Sequence, residues 1–266
     1  MIEIYFSQHY NILMIFLLCM GFLAGFIDAI AGGGGLISLP ALVYTGMPIA
    51  TVLGTNKLQA SFGTSVAVYQ YYKSGLIDIF TVYRGLVMGL FGTILGTVTV
   101  NYVSNQFMEY IIPFLLLGVF LFNLFNKRLG VVATRQRMNE IMFFAVFGFI
   151  LGFYDGFFGP GTGNFWIIAI VFFLGYTFLD ASGYAKVLNL KSNLVSLSVF
   201  LFYGKVNFTF AMIMALGNIL GNYVGAKMVI LKGAKLVRPF FMLVVLINVI
   251  MSFYDLIFSP SKVVTG

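Results

Sequence analysis

The chain has 266 residues, 61% of them apolar and only 9% charged, with a mean hydropathy of +1.01 and a formal net charge of +7. A soluble domain is about 25% charged, so a soluble globular protein, a disordered tail and a nucleic-acid-binding module are excluded. In so apolar a chain the basic residues report membrane orientation, not a nucleic-acid partner.

The opening residues, MIEIYFSQHYN, lack the basic stretch of a cleavable signal, so the first apolar run, 10–31, reads as a membrane segment. Further apolar runs follow at 36–50, 54–72, 82–101, 107–126, 140–158, 163–179, 184–203, 207–231 and 238–258. At about 20 residues per span, these segments fill nearly the whole chain and leave no room for a soluble domain. Cys19, the single cysteine, lies inside the first run, which excludes disulfides and cysteine-rich metal sites.

Two of the junctions are not ordinary loops. Runs 10–31 and 36–50 are separated only by Gly32-Gly33-Gly34-Gly35, and runs 140–158 and 163–179 only by Gly159-Pro160-Gly161-Thr162. Neither carries the charge of a loop in water. Backbone released from a helix at membrane depth must be covered by protein or line a wet cavity.

The two breaks begin a repeat. Gly21–Gly32 lies over Gly148–Gly159 at an offset of 127 with six of twelve positions identical, including Asp28 over Asp155. At an offset of 129, Lys57 falls on Lys186 and Gly75 on Gly204. Gly92-x-x-x-Gly96 matches Gly217-x-x-x-Gly221 with a short deletion. The expected organisation is a first transmembrane repeat over 1–126, a basic linker over 127–139 and a second repeat over 140–266. Lys127, Arg128, Arg135 and Arg137 place that linker in the cytoplasm. Lys227, Lys232, Lys235 and Arg238 form a second basic cluster, whereas the equivalent stretch of the first half, 101–109, holds only Glu109. Equivalent loops therefore face opposite sides. That pattern implies inverted repeats, with both chain ends outside and each broken pair either re-entrant or made of two short spans. The fold class expected is an all-α polytopic membrane protein of two inverted-topology repeats, each a glycine-broken helical hairpin plus three spanning helices. Paired broken helices in inverted repeats are a transporter design.

The breaks are also the first candidates for chemistry. Gly33, Gly34 and Gly35 let the backbone approach a ligand without Cβ atoms in the way. The helices restarting near Leu36 and Gly163 present unpaired N–H groups at a positive dipole end, a ready anion site. Ser38, Gly161, Thr162, Gly163 and Asn164 extend that site. Lys57 and Lys186 can attract an anionic substrate, helped within one or two turns by Asn56, Gln59, Asn189 and Asn193. Asp28 and Asp155 read as structural counter-ions of the lysines, with proton coupling as the alternative. Lys191 is a further charge inside an apolar run. Such residues face the protein interior and pair, because each costs about 2.5–3.5 kcal/mol at a span centre.

The remaining marked residues have plainer readings. His9, the one histidine, precedes the first span and reads as interfacial; Trp166 reads as packing, not substrate stacking. Tyr69, Tyr71 and Tyr72 before Lys73 read as an aromatic belt, and Gly85, Gly89, Gly217, Gly221 and Gly225 as small-residue stripes for close helix packing. There is no His pair, HExxH, Gly-x-Ser-x-Gly or Cys/His cluster, so no enzyme, metal or cofactor is expected.

GFIDAIAGGGGLISLPAL, TGMPIATVLGTNKLQ and YYKSGLID in the first half, with AKVLNLKSNLVSLSVFLFYGKV in the second, resemble the sulfite exporter TauE/SafE family, also called the four-toluene sulfonate uptake permease family. The resemblance covers about 12–255, with GPGTGNFW standing where a run of glycines is usual. It implies a multi-pass carrier in the cell (inner) membrane moving small sulfur-containing anions such as sulfite and sulfoacetate, often outward, or other organic anions. The partners expected are a small anion, the lipid bilayer and, if the aspartates titrate, protons; the oligomeric state stays open. The rival classes are an anion channel with a continuous wet pore and a membrane scaffold that transports nothing.

Overall fold

The computed structural model describes residues 10–100, 102 and 133–232, with isolated helical positions at 114, 117, 243, 246, 247, 249 and 250. Apart from those positions, the runs 107–126 and 238–258 lie outside the described residues, as do most of the 101–109 loop, His9, Lys127, Arg128, Lys235 and Arg238. Among the described residues every regular element is helical. In chain order these are α1 (Tyr10–Ala31), α2 (Gly35–Val43), α3 (Ile49–Lys73), α4 (Ile79–Thr99), α5 (Glu140–Phe157), α6 (Thr162–Ala169) running into a π-turn (Ile170–Leu174), α7 (Phe178–Phe202) and α8 (Phe208–Lys232).

Four of these, α1, α5, α7 and α8, are long and apolar enough to cross a membrane. Outward residues suit lipid: Phe202 of α7 is 84% exposed, Leu231 of α8 75%, and Phe91 of α4 75%. α3 has the length of α7 but holds Asn56, Lys57 and Gln59, all buried, so its polar face is covered by neighbouring helices. α2 has 9 residues and rises about 14 Å at ~1.5 Å per residue. α6 and the π-turn, 8 and 5 residues, rise about 20 Å together. Both fall short of the ~30 Å of hydrocarbon, so neither crosses alone.

Local sequence explains the ends. Asn139 caps α5 by accepting the Ile141 N–H at 2.8 Å, and the Thr177 hydroxyl caps α7 by accepting the Asp180 N–H at 3.2 Å. The linker docks through its backbone: Thr134 N–H donates to the Gly175 carbonyl at 2.7 Å and Arg137 N–H to that of Phe173 at 2.8 Å. The Arg137 guanidinium lies 4.2 Å from the Phe172 ring centre, a cation–π contact that pins the linker to the π-turn.

The helices pack across the halves. α1 packs most extensively on α8, and α4 on α5, with α3 against α7 at the centre. Glycines allow this closeness. A Cβ on Gly92 or Gly96 would meet the carbonyls of Phe149 and Phe153 in α5, and one on Gly221 or Gly225 the carbonyls of Phe22 and Phe26 in α1. Those contacts relate Gly92 to Gly221 and Gly96 to Gly225 at the same offset of 129 that relates the lysines, so the deletion inferred from sequence is not needed. The tyrosine belt also needs correcting. Tyr69 and Tyr72 are exposed, but Tyr71 is fully buried and its hydroxyl donates to the Ala29 carbonyl at 3.1 Å. Two residues along a helix is about 200° of rotation, which turns Tyr71 inward when Tyr69 points out.

Candidate functional site

The two glycine breaks touch. Gly32 ends α1 with φ +76°, a left-handed conformation open to glycine, and a Cβ there would lie 2.5 Å from the carbonyl carbon of Gly163. Gly161 opens α6, also left-handed at φ 76°. A Cβ on Gly35 would lie 3.2 Å from Cα of Pro160. The glycines thus do two jobs: they turn the chain and let two backbones meet without side chains between them.

Each break is closed by a lysine from the other half. Lys57 Nζ donates to Asp155 Oδ1 at 2.7 Å and to the Asp155 main-chain carbonyl at 2.8 Å. Lys186 Nζ pairs with Asp28 Oδ2 at 2.8 Å and also donates to the Asp28 carbonyl. A helix ending at a break leaves carbonyls unpaired and a partial negative charge. At Asp155 one ammonium therefore satisfies a helix-end carbonyl and a carboxylate together, while the Asp28 carbonyl accepts both Lys186 and the Gly32 N–H at 2.7 Å. All four residues are buried, with Lys186 at 0% and Asp155 at 1% exposure. The carboxylate also reaches the restarting helix, since Gly34 N–H donates to Asp28 Oδ1 at 3.4 Å. Asp28 thus occupies the place where an external anion could lie. Tyrosines complete the closure, Tyr71 on the Ala29 carbonyl and Tyr154 on that of Pro160 at 2.8 Å.

A cavity of about 30 Å³ lies between the breaks. It has room for about two waters at ~10–15 Å³ each and is too small for a sulfonate as it stands. Of the residues singled out from sequence, Lys57, Asn56, Gln59, Asn189 and Asn193 line it, together with Gly34, Gly35, Gly161, Asp28 and Asp155. Asn193 Oδ1 accepts from Lys57 at 3.3 Å, and Asn56 Oδ1 accepts from Gln59 at 2.8 Å and from the Ser38 hydroxyl at 2.6 Å. Ser38 therefore supports the wall from behind. Gly33, Thr162, Gly163, Asn164 and Lys186 are not among the lining residues. Thr162 turns its hydroxyl to the Gly159 carbonyl at 2.7 Å. Trp166 is fully buried away from the cavity, edge-on to Phe143 with ring centres 6.4 Å apart. Two polar atoms of the lining residues, Asp155 Oδ2 and Gln59 Oε1, are buried without a hydrogen-bond partner.

Sequence reasoning missed Asn218, Thr64 and Ala60, which also line the cavity. Asn218 sits inside the glycine stripe of α8, where spacing reads as packing. The signal was there in the amide itself, since Asn218 and Asn222 interrupt an otherwise apolar run.

Lipid-facing helices whose broken ends close on a buried, charged hollow define a polytopic membrane transporter. The chain matches the sulfite exporter TauE/SafE family over residues 17–251 and belongs to that family. It is 43% identical to a probable membrane transporter protein of Haemophilus influenzae, over 85% of this chain and 89% of the relative. It is 38% identical to probable membrane transporter protein ORF9 of a Sinorhizobium species, over 87% and 89% of the two chains. It is 37% identical to probable membrane transporter protein YfcA of Escherichia coli K12, over 86% and 84%. No solved structure matches the chain.

Proposed function

We propose that this protein is a carrier of small sulfur-containing or organic anions, such as sulfite, sulfoacetate and related sulfonates, working outward across the cell's inner membrane by alternating access. The observation that carries the reading is the reciprocal pair of lysine bridges, each running from one half of the chain to the broken helix of the other. A carboxylate already held by Lys57 favours an anion as the ligand of that ammonium. An anion that takes its place uncaps Asp155 and the carbonyl behind it, so occupancy loosens the break. Because lysine and aspartate belong to different halves, loosening frees one half to move against the other. The exchanged contacts of α1 with α8 and of α4 with α5 support two inverted repeats, 1–126 and 140–266, joined by the linker 127–139. The small cavity fits a state that must widen to load.

The test is flux in liposomes. Lys57→Ala and Lys186→Ala proteins that fold normally are expected to lose most transport of sulfite and sulfoacetate, and unchanged flux for both would remove the lysines from the mechanism. A proton-coupled version requires Asp28 or Asp155 to be protonated once its lysine has taken the anion. Flux indifferent to a pH gradient would exclude that version.

A further inference from the structure

The centre of the protein holds three buried ammonium groups, on Lys57, Lys186 and Lys191, against two buried carboxylates, on Asp28 and Asp155, among the described residues. Lys57 and Lys186 are paired. Lys191 is 8% exposed, and its one described hydrogen bond is to Thr93 Oγ1 of α4 at 3.4 Å. Room for its ammonium comes from Gly89, where a Cβ would collide with Nζ. The group lies against the glycine face of α5 that leads to Asp155: the same Cβ on Gly89 would sit 3.2 Å from the Gly148 carbonyl, and a Cβ on Gly152, three residues before Asp155, would sit 3.1 Å from the Thr93 hydroxyl that Lys191 holds. Asp155 in turn has a spare oxygen, the buried and unpartnered Oδ2.

We infer that Lys191 is the reserve partner of Asp155: when an anion takes Lys57, Asp155 passes to Lys191, and the site accepts one net negative charge without taking up a proton. This rests on the carrier reading above and names the substrate class as a monoanion. A carboxylate stripped of its lysine in a dry interior would otherwise become protonated. Around Asp155, α3 offers Lys57, which binds it directly and also donates to Asn193 of α7, and α4 offers the uncharged Thr93 hydroxyl, to which Lys191 of α7 donates. Neighbouring Tyr154 is committed to the Pro160 carbonyl. The other bridge has no such reserve, because the counterpart of Lys191 at the offset of 129 is Phe62, 42% exposed. Lys57–Asp155 is therefore the bridge that exchanges, and Lys186–Asp28 the one that holds.

The experiment counts protons per bound anion on purified protein in a weakly buffered detergent solution near pH 7.5, with binding followed by calorimetry. Methanesulfonate, a monoanion of fixed charge, is expected to bind the native protein with roughly zero proton uptake, and sulfoacetate, a dianion, with about one. Lys191→Gln should bind methanesulfonate only with about one proton, its affinity falling about tenfold per pH unit, and Lys191→Arg should restore proton-free binding. Uptake of about one proton per methanesulfonate by the native protein overturns the proposal whether or not any variant folds. So does Lys191→Gln binding at native affinity without proton uptake. If neither anion binds the native protein, the sulfonate-carrier reading falls first and this one with it.

Discussion

The pairing of Lys186 with Asp28 can be tested as a thermodynamic cycle. Lys186→Met removes an ammonium with no exposure and leaves the Asp28 carboxylate facing its own carbonyl. Removing one member of a buried pair costs about 3–5 kcal/mol, mostly through the charge left behind. Asp28→Asn strands Lys186 and should cost about as much. The double variant leaves no charge, and the new amide can still accept the Gly34 N–H through its oxygen. It should therefore lose less than the summed single losses by at least about 2 kcal/mol. Lys57→Met combined with Asp28→Asn is the control, since these residues belong to different bridges. There the losses should add. Unfolding in mixed micelles of increasing SDS fraction reads all of these energies. Equal compensation in the control and in the matched pair, or no compensation in either, would refute the assigned pairing.

Glycine substitutions should separate contact from conformation. Gly32→Ala combines a left-handed φ of +76° with a clash against Gly163 and should abolish a folded, transport-competent protein, as size-exclusion profile and flux report. Gly204→Ala, at φ +65° with no atom within 4 Å of the new Cβ, should cost only about 1–2 kcal/mol and leave flux intact. Gly221→Leu drives a side chain into the Phe22 carbonyl and should lower the melting temperature far more than Leu220→Ala on the exposed side of the same helix. Gln59→Leu, which alters the cavity wall, should cut flux with little loss of stability, whereas Trp166→Phe, remote from the cavity, should do the reverse.

Much of the helical plan was legible because the bilayer makes composition a strong signal. A charge inside an apolar run cannot be incidental, so Asp28, Asp155, Lys57 and Lys186 announced themselves. Which lysine meets which aspartate did not. Lys57 follows Asp28 by 29 residues and Lys186 follows Asp155 by 31, so order along the chain suggests pairing within each half. The actual partners lie 98 and 158 residues apart, because α3 and α7 pack against each other and reach across to the opposite breaks. Asn218 was hidden for a related reason. It follows Gly217 in a stripe whose spacing speaks of backbone contact, and only the approach of α8 to α3 turns its amide toward the hollow. Tyr71 was misplaced because three tyrosines in four positions resemble a belt unless helical phase is considered.

The crossed bridges also set a timetable for biosynthesis. A ribosome adding about 5–20 residues per second delivers Asp155 98 residues after Lys57, an interval of about 5–20 s. For that time α3 carries an ammonium that costs about 2.5–3.5 kcal/mol to leave in lipid, and α1 carries an acid whose mate is later still. A chain stalled in the linker would hold Lys57 and Asp28 without the partners that the second half brings them.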